Sequence, residues 1–174
     1  MRARRLSVSP AQRGFTLVEI LVVVVIVAVL ALAVTVAVGG AAQRRLAREA
    51  ERFSALVDHA CTQAELTGRE IGVRVSRDGY AFLRLDPDGW RAIGTDGPLR
   101  ARGWPPGIGV ALSRDGRELE LASADGAAPP QLACFSSGEA TPFELRLSLA
   151  DGTAWGVRGR EDATSSAQPV EDDR

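Results

Sequence analysis

The chain changes its hydrophobic period twice. From Leu17 to Val38 it is apolar almost without a break, and between Phe15 and Gln43 the only charged side chain is Glu19. At about 1.5 Å per residue such a run is long enough to cross a hydrocarbon core of about 30 Å, so it predicts a transmembrane helix over about 17–38. The β-branched stretch Val22 to Val29 disfavours helix in water, but in lipid the backbone must satisfy its own hydrogen bonds and helix does so. Gly39-Gly40 follows, with each glycine costing roughly 1 kcal/mol in a helix interior, so the pair marks either a point of bending or a close helix contact. From Ala42 to Thr67 the spacing becomes three and four: Leu46, Ala50, Phe53, Val57, Ala60, Cys61 and Ala64 lie on one face. Arg45, Arg48, Glu49, Glu51, Arg52, Asp58 and Glu65 are assigned to the other faces. One long helix over 15–68 is expected, amphipathic in its second half, with Gly68 as its stop.

Beyond Gly68 the period is two. Ile71, Val73 and Val75 alternate with Gly72 and Arg74, Ser76-Arg77-Asp78-Gly79 turns the chain, and Tyr80 to Leu85 alternates again, which together signal a hairpin. Asp86-Pro87-Asp88-Gly89 makes a second turn into Trp90 to Ile93. Further strands are expected at Ile108 to Leu112, Glu118 to Leu121, Gln131 to Phe135, Phe143 to Leu149 and Thr153 to Val157. The fold class is therefore α+β, a mostly antiparallel β domain over 69–159 packed on the amphipathic half of the helix. Residues 160–174 lack apolar periodicity and read as a disordered acidic tail.

Composition narrows the chemistry. Of 174 residues, all 21 basic ones are arginine, and Arg2, Arg4, Arg5 and Arg13 precede the apolar run. Without those four, 17 arginines face 22 acids, and a domain of that charge is not an evident nucleic-acid binder. Four more arginines, Arg44, Arg45, Arg48 and Arg52, follow the run, so the positive-inside rule does not fix an orientation. The only histidine, His59, has no second ligand at metal spacing, Asp86 and Asp88 are explained by a Pro-Asp-Gly turn, and Ser136 and Ser137 lack a nucleophile setting. No catalytic residue, metal or cofactor is expected. Cys61 and Cys134 both lie in apolar patterns; a disulfide and two buried free thiols remain open alternatives.

A carboxylate near a membrane-length apolar run costs roughly 2.5 to 3.5 kcal/mol at mid-membrane and less near the interface, so Glu19 calls for a partner. Gly14-Phe15-Thr16-Leu17-Val18-Glu19 resembles the cleavage signal of type IV pilins and type II secretion pseudopilins. In a secretory signal peptide the apolar region precedes the cut, whereas here it follows. The resemblance implies a cleaved basic leader over 1–14, cut between Gly14 and Phe15 by a prepilin peptidase, N-methylation of Phe15, and a pilin-like fold. It also implies that Glu19 pairs with the terminal ammonium of a neighbouring subunit during assembly. Two opposite charges in low dielectric attract strongly, while either one alone is costly.

Phe135-Ser136-Ser137-Gly138-Glu139-Ala140-Thr141-Pro142-Phe143 and Thr67-Gly68-Arg69-Glu70 further resemble segments of the H-type minor pseudopilins. That resemblance implies a non-enzymatic subunit of the type II secretion pseudopilus, helping folded proteins across the outer membrane. Its partners would be the major and other minor pseudopilins, the prepilin peptidase, and an inner-membrane assembly platform with a cytoplasmic ATPase. It would be a single-pass inner-membrane protein with its C-terminal domain periplasmic. The alternative is a minor type IV pilin, including one for DNA uptake, which would need a patch from Arg69, Arg74, Arg77, Arg84, Arg100 and Arg102.

Overall fold

The computed structural model describes residues 16–121 and 128–170, the side chains of 32–39 excepted. Helix α1 (Leu17–Thr67) opens the described chain. Strands β1 (Ile71–Val75), β2 (Gly79–Asp86), β3 (Gly89–Ala92), β4 (Arg102–Gly103) and β5 (Gly109–Arg114) follow. They continue with β6 (Arg117–Leu119), β7 (Leu132–Cys134), β8 (Phe143–Ser148), β9 (Ala154–Gly159) and β10 (Ser165–Val170). The chain divides into two compact units, Met1–Gly40 and Ala41–Arg174, so the division falls at the paired glycines.

In the first unit the described helix, from Leu17 to Ala31, exposes its apolar side chains all round: Leu21, Val24, Val27 and Leu30 are all open. In the second unit the expected stripe is the buried one. Leu46, Ala50, Phe53, Val57, Ala60, Cys61 and Ala64 are each buried. Gly68 ends α1 at a φ of 64°, and the Arg69 N–H donates to the Ala64 carbonyl at 3.3 Å. That is the six-to-one bond of a Schellman cap, which needs a left-handed residue and favours glycine.

Two antiparallel sheets lie in the second unit. The first has the order β3-β2-β1-β7, with β4 on the far part of β2; the second runs β10-β9-β8-β5-β6. Pairing Val73 with Phe82 and Val75 with Tyr80 puts the large residues of β1 and β2 on one face. Pairing Leu145 with Leu112 on one side and Val157 on the other does the same for the second sheet. Phe53 joins them. Its ring lies 5.0 Å edge-on from Tyr80 of the first sheet and 6.1 Å edge-on from Phe143 of the second, with Trp104 at 5.8 Å. Phe143 fits because its cross-strand partner is Gly159, where a Cβ would run into the ring.

Three findings depart from the sequence expectations. Part of the tail read as disordered is strand β10, paired with β9 from Ser165↔Gly159 to Val170↔Ala154. Its partly buried residues are Ser165, Ala167 and Val170, mostly small or polar and not in strict alternation, so they leave no period-two signal. Glu49, assigned to a solvated face, is buried and accepts a hydrogen bond from the Tyr80 hydroxyl at 3.2 Å, with Arg52 at 3.0 Å on its other oxygen. Burial and the adjoining carboxylate both push the Tyr80 phenol upward. The two-residue β4 was also unexpected; the Trp104 indole N–H, donating to the Ser76 carbonyl at 3.0 Å, ties that segment to the β1–β2 turn.

Cys61 of α1 and Cys134 of β7 are joined in a disulfide that closes a loop of 73 residues. Loop-closure entropy for that length amounts to about 4 kcal/mol. The Cys61→Ala/Cys134→Ala variant is expected to lose about that much unfolding free energy, read from urea denaturation of both proteins without reductant. An unchanged midpoint would show that the cross-link contributes nothing.

Candidate functional site

The residues that chemistry singles out lie at the start of α1. Thr16 precedes the first helical residue, and its hydroxyl oxygen accepts the Glu19 N–H at 3.2 Å. Its carbonyl accepts from Glu19 at 3.1 Å and Ile20 at 3.3 Å. Thr16 is thus the N-cap and Glu19 the third helical residue, the spacing of a capping box. The pattern Thr16-Leu17-Val18-Glu19 is itself the sequence signature of such a cap. Glu19 gains from the positive end of the helix dipole. Among the described residues no hydrogen bond or ion pair engages its carboxylate, and its neighbours Leu17, Val18 and Ile20 are exposed and apolar. Gly14 and Phe15 lie outside the described residues.

The membrane expectation over 17–38 runs through residues 32–39. Taken over the described residues, no helix is long and apolar enough to cross a membrane. An apolar helix with no polar face is stable only when lipid or protein surrounds it.

The other candidates occupy structural positions. His59 is exposed on α1. Asp86 is held by Arg84 at 3.0 Å, with Arg91 at 3.9 Å and Arg69 at 4.0 Å, and the Arg84 hydrogen bond heads the causes that hold its carboxyl below the usual range. Asp88 pairs with Arg91 at 2.9 Å across the turn. Of the arginines considered for a nucleic-acid patch, Arg84 and Arg69 face Asp86, while Arg74, Arg100 and Arg102 each donate to backbone carbonyls, of Ala128, Gly97 and Pro98. Ser137 reaches Glu139 at 3.4 Å within the β7–β8 loop. That loop folds on itself through Phe135 N–H to Glu139 carbonyl at 2.8 Å and Thr141 N–H to Ala133 carbonyl at 2.8 Å. Among the described residues no group of acidic, histidine or cysteine side chains is arranged to hold a metal.

An exposed apolar helix with one carboxylate in its first turn, continuing as the spine of a two-sheet domain, defines a pilin-like assembly subunit. The minor pseudopilin EpsH from the type II secretion system of Vibrio cholerae has this fold: a TM-score of 0.64 at 26% identity, over 76% of this chain and 99% of that one. The solution structure of Escherichia coli GspH matches with a TM-score of 0.59 at 20% identity, over 76% and 94%. Residues 9–35 match the prokaryotic N-terminal methylation motif, and residues 49–163 match the type II transport protein GspH family. Type II secretion system protein H of Pseudomonas aeruginosa is 37% identical over 79% of this chain and 84% of its own length. The Aeromonas hydrophila protein is 32% identical over 80% and 82%.

The chain belongs to the type II transport protein GspH family and is a minor pseudopilin of type II secretion. Its family consists of structural subunits that work with other pseudopilins, and the methylation motif marks it as membrane-anchored.

Replacing the cap tests the helix start. In Thr16→Val the Glu19 amide loses its side-chain acceptor, at a cost of about 1 kcal/mol. Its hydrogen exchange in detergent micelles is expected to quicken about fivefold, while Thr16→Ser keeps the wild-type rate. Equal rates in all three would show that Thr16 does not cap the helix.

Proposed function

We propose that this pseudopilin is cut between Gly14 and Phe15 by a prepilin peptidase, N-methylated on Phe15, and held by a helix over about 17–38 in the inner membrane. The leader then lies on the cytoplasmic side and the second unit in the periplasm. As the subunit enters the filament, Glu19 pairs with the methylated ammonium of a neighbouring major or minor pseudopilin. An assembly platform with its ATPase drives the step that helps folded proteins leave across the outer membrane.

The observation that carries this reading is the Glu19 carboxylate, without a partner among the described residues, in the first turn of the apolar first half of α1. A lone charge there is costly in lipid, and an opposite charge from a neighbour removes the cost in one axial register only. The disulfide between Cys61 and Cys134 supports the periplasmic assignment, since such bonds persist in oxidising compartments. The arginines tied to carbonyls and to Asp86 give the DNA-uptake alternative no support.

The test is the N-terminal residue and mass of the chain from membranes of cells with and without a prepilin peptidase. Peptidase-dependent N-methylated Phe15 is the expected product; an intact Met1 in both overturns the processing. Glu19→Ala is expected to be cut and inserted normally but to be recovered at least tenfold less in sheared filaments. Wild-type incorporation of that variant would remove the pairing.

A further inference from the structure

The edge of β9 is a site as well as a strand. It is covered by β10, the last described element of the chain, and the GspH family match ends at residue 163, two residues short of it. The connection runs from Arg160 to Thr164, and within it Ala163 holds a φ of 59°, a left-handed conformation that strains an alanine. Asp162 offsets part of that strain by accepting both the N–H and the hydroxyl of Thr164, at 3.2 and 2.6 Å.

The edge selects what lies on it. The Ser165 hydroxyl lies 2.7 Å from Asp58 Oδ1, 3.1 Å from the Ser54 carbonyl and 2.7 Å from the Ser54 hydroxyl, all on α1. Ser54 is buried, so a residue without a hydroxyl at 165 would leave polar groups unmatched there. Ala167 faces Val157 and Pro169 faces Trp155, positions filled by small side chains. The Arg160 N–H donates to the Thr164 carbonyl at 2.9 Å, which fixes the alternation of the ladder and turns the Pro169 nitrogen away from β9. The outer edge of β10 therefore lacks a donor at that point and does not invite another strand.

We propose that the β9 edge is a strand-acceptor site for an extended peptide of the pattern Ser-x-Ala-x-Pro, filled in cis by β10 and open to exchange for residues 165–170 of a second copy of this chain. The same contacts serve either donor, and opening the connection relieves the strain at Ala163. A strand behind a short strained connection is the arrangement that favours exchange between copies.

The test uses the full chain in detergent micelles. Full-length Arg158→Cys mixed with full-length Ser166→Cys, whose positions face each other across β9 and β10, is expected to give a cross-linked heterodimer that rises with total protein concentration. Ser166→Cys mixed with Ser113→Cys, which lies off β9, is expected to give at least tenfold less. Equal yields, or none in either mixture, overturn exchange between copies. Separately, a protease site placed between Asp162 and Ala163 lets the strand be cut free. The cut chain is expected to take up a fluorescent peptide of residues 163–174, with the Ser165→Val peptide binding at least tenfold more weakly. No uptake, or uptake indifferent to that change, overturns the acceptor site.

Discussion

Everything in the second unit hangs on one apolar stripe of α1. Phe53 stands at its middle, edge-on to Tyr80 of one sheet and to Phe143 of the other. Among the described residues neither sheet closes on itself, and each has a face of Val, Leu and Phe, joined by Tyr80 in the first, that water would penalise by about 25 cal/mol for every Å² left open. The helix meets both through one side chain, Phe53. The small residues Ala50, Ala60 and Ala64 bring its backbone close, and the disulfide at Cys61 adds a covalent tie on the same side. Polar groups follow that geometry: Glu49 meets the Tyr80 hydroxyl one turn from Phe53, and Ser54 and Asp58 meet Ser165 on the next face.

The first unit obeys the opposite rule. Its side chains are as apolar as those of the stripe, yet they are exposed around the whole circumference among the described residues. A helix of that composition is not stabilised by its own chain in water, and its surroundings decide its state. The same sequence thus separates two tasks at Gly40. One unit holds a finished core. The other exposes an apolar surface with a single carboxylate, Glu19, among the described residues.

Much of this was legible because periodicity is a local property. The stripe from Leu46 to Ala64, the Gly68 stop and the hairpin from Ile71 to Leu85 are each written within a few residues of one another, and each is where the spacing puts it. What escaped depends on distant partners. Glu49 is buried with Tyr80, 31 residues on, as one of its donors, the other being Arg52. Both cysteines sat visibly in apolar patterns, but their pairing required β7 to be laid beside β1, which no spacing expresses. Strand β10 escaped for a third reason. Its partly buried residues are mostly small or polar, and its order comes from backbone pairing with β9 and from one serine hydroxyl on α1.

At the head of α1 one short sequence answers two physical demands. Thr16 and Glu19 stand at the interval of a capping box, and Thr16 supplies the acceptors for the Glu19 and Ile20 amides. The cap consumes the threonine hydroxyl and the Glu19 amide but leaves the Glu19 carboxylate unspent. The Glu19 carboxylate, which has no partner among the described residues, is the group that the proposed pairing with a neighbouring subunit requires.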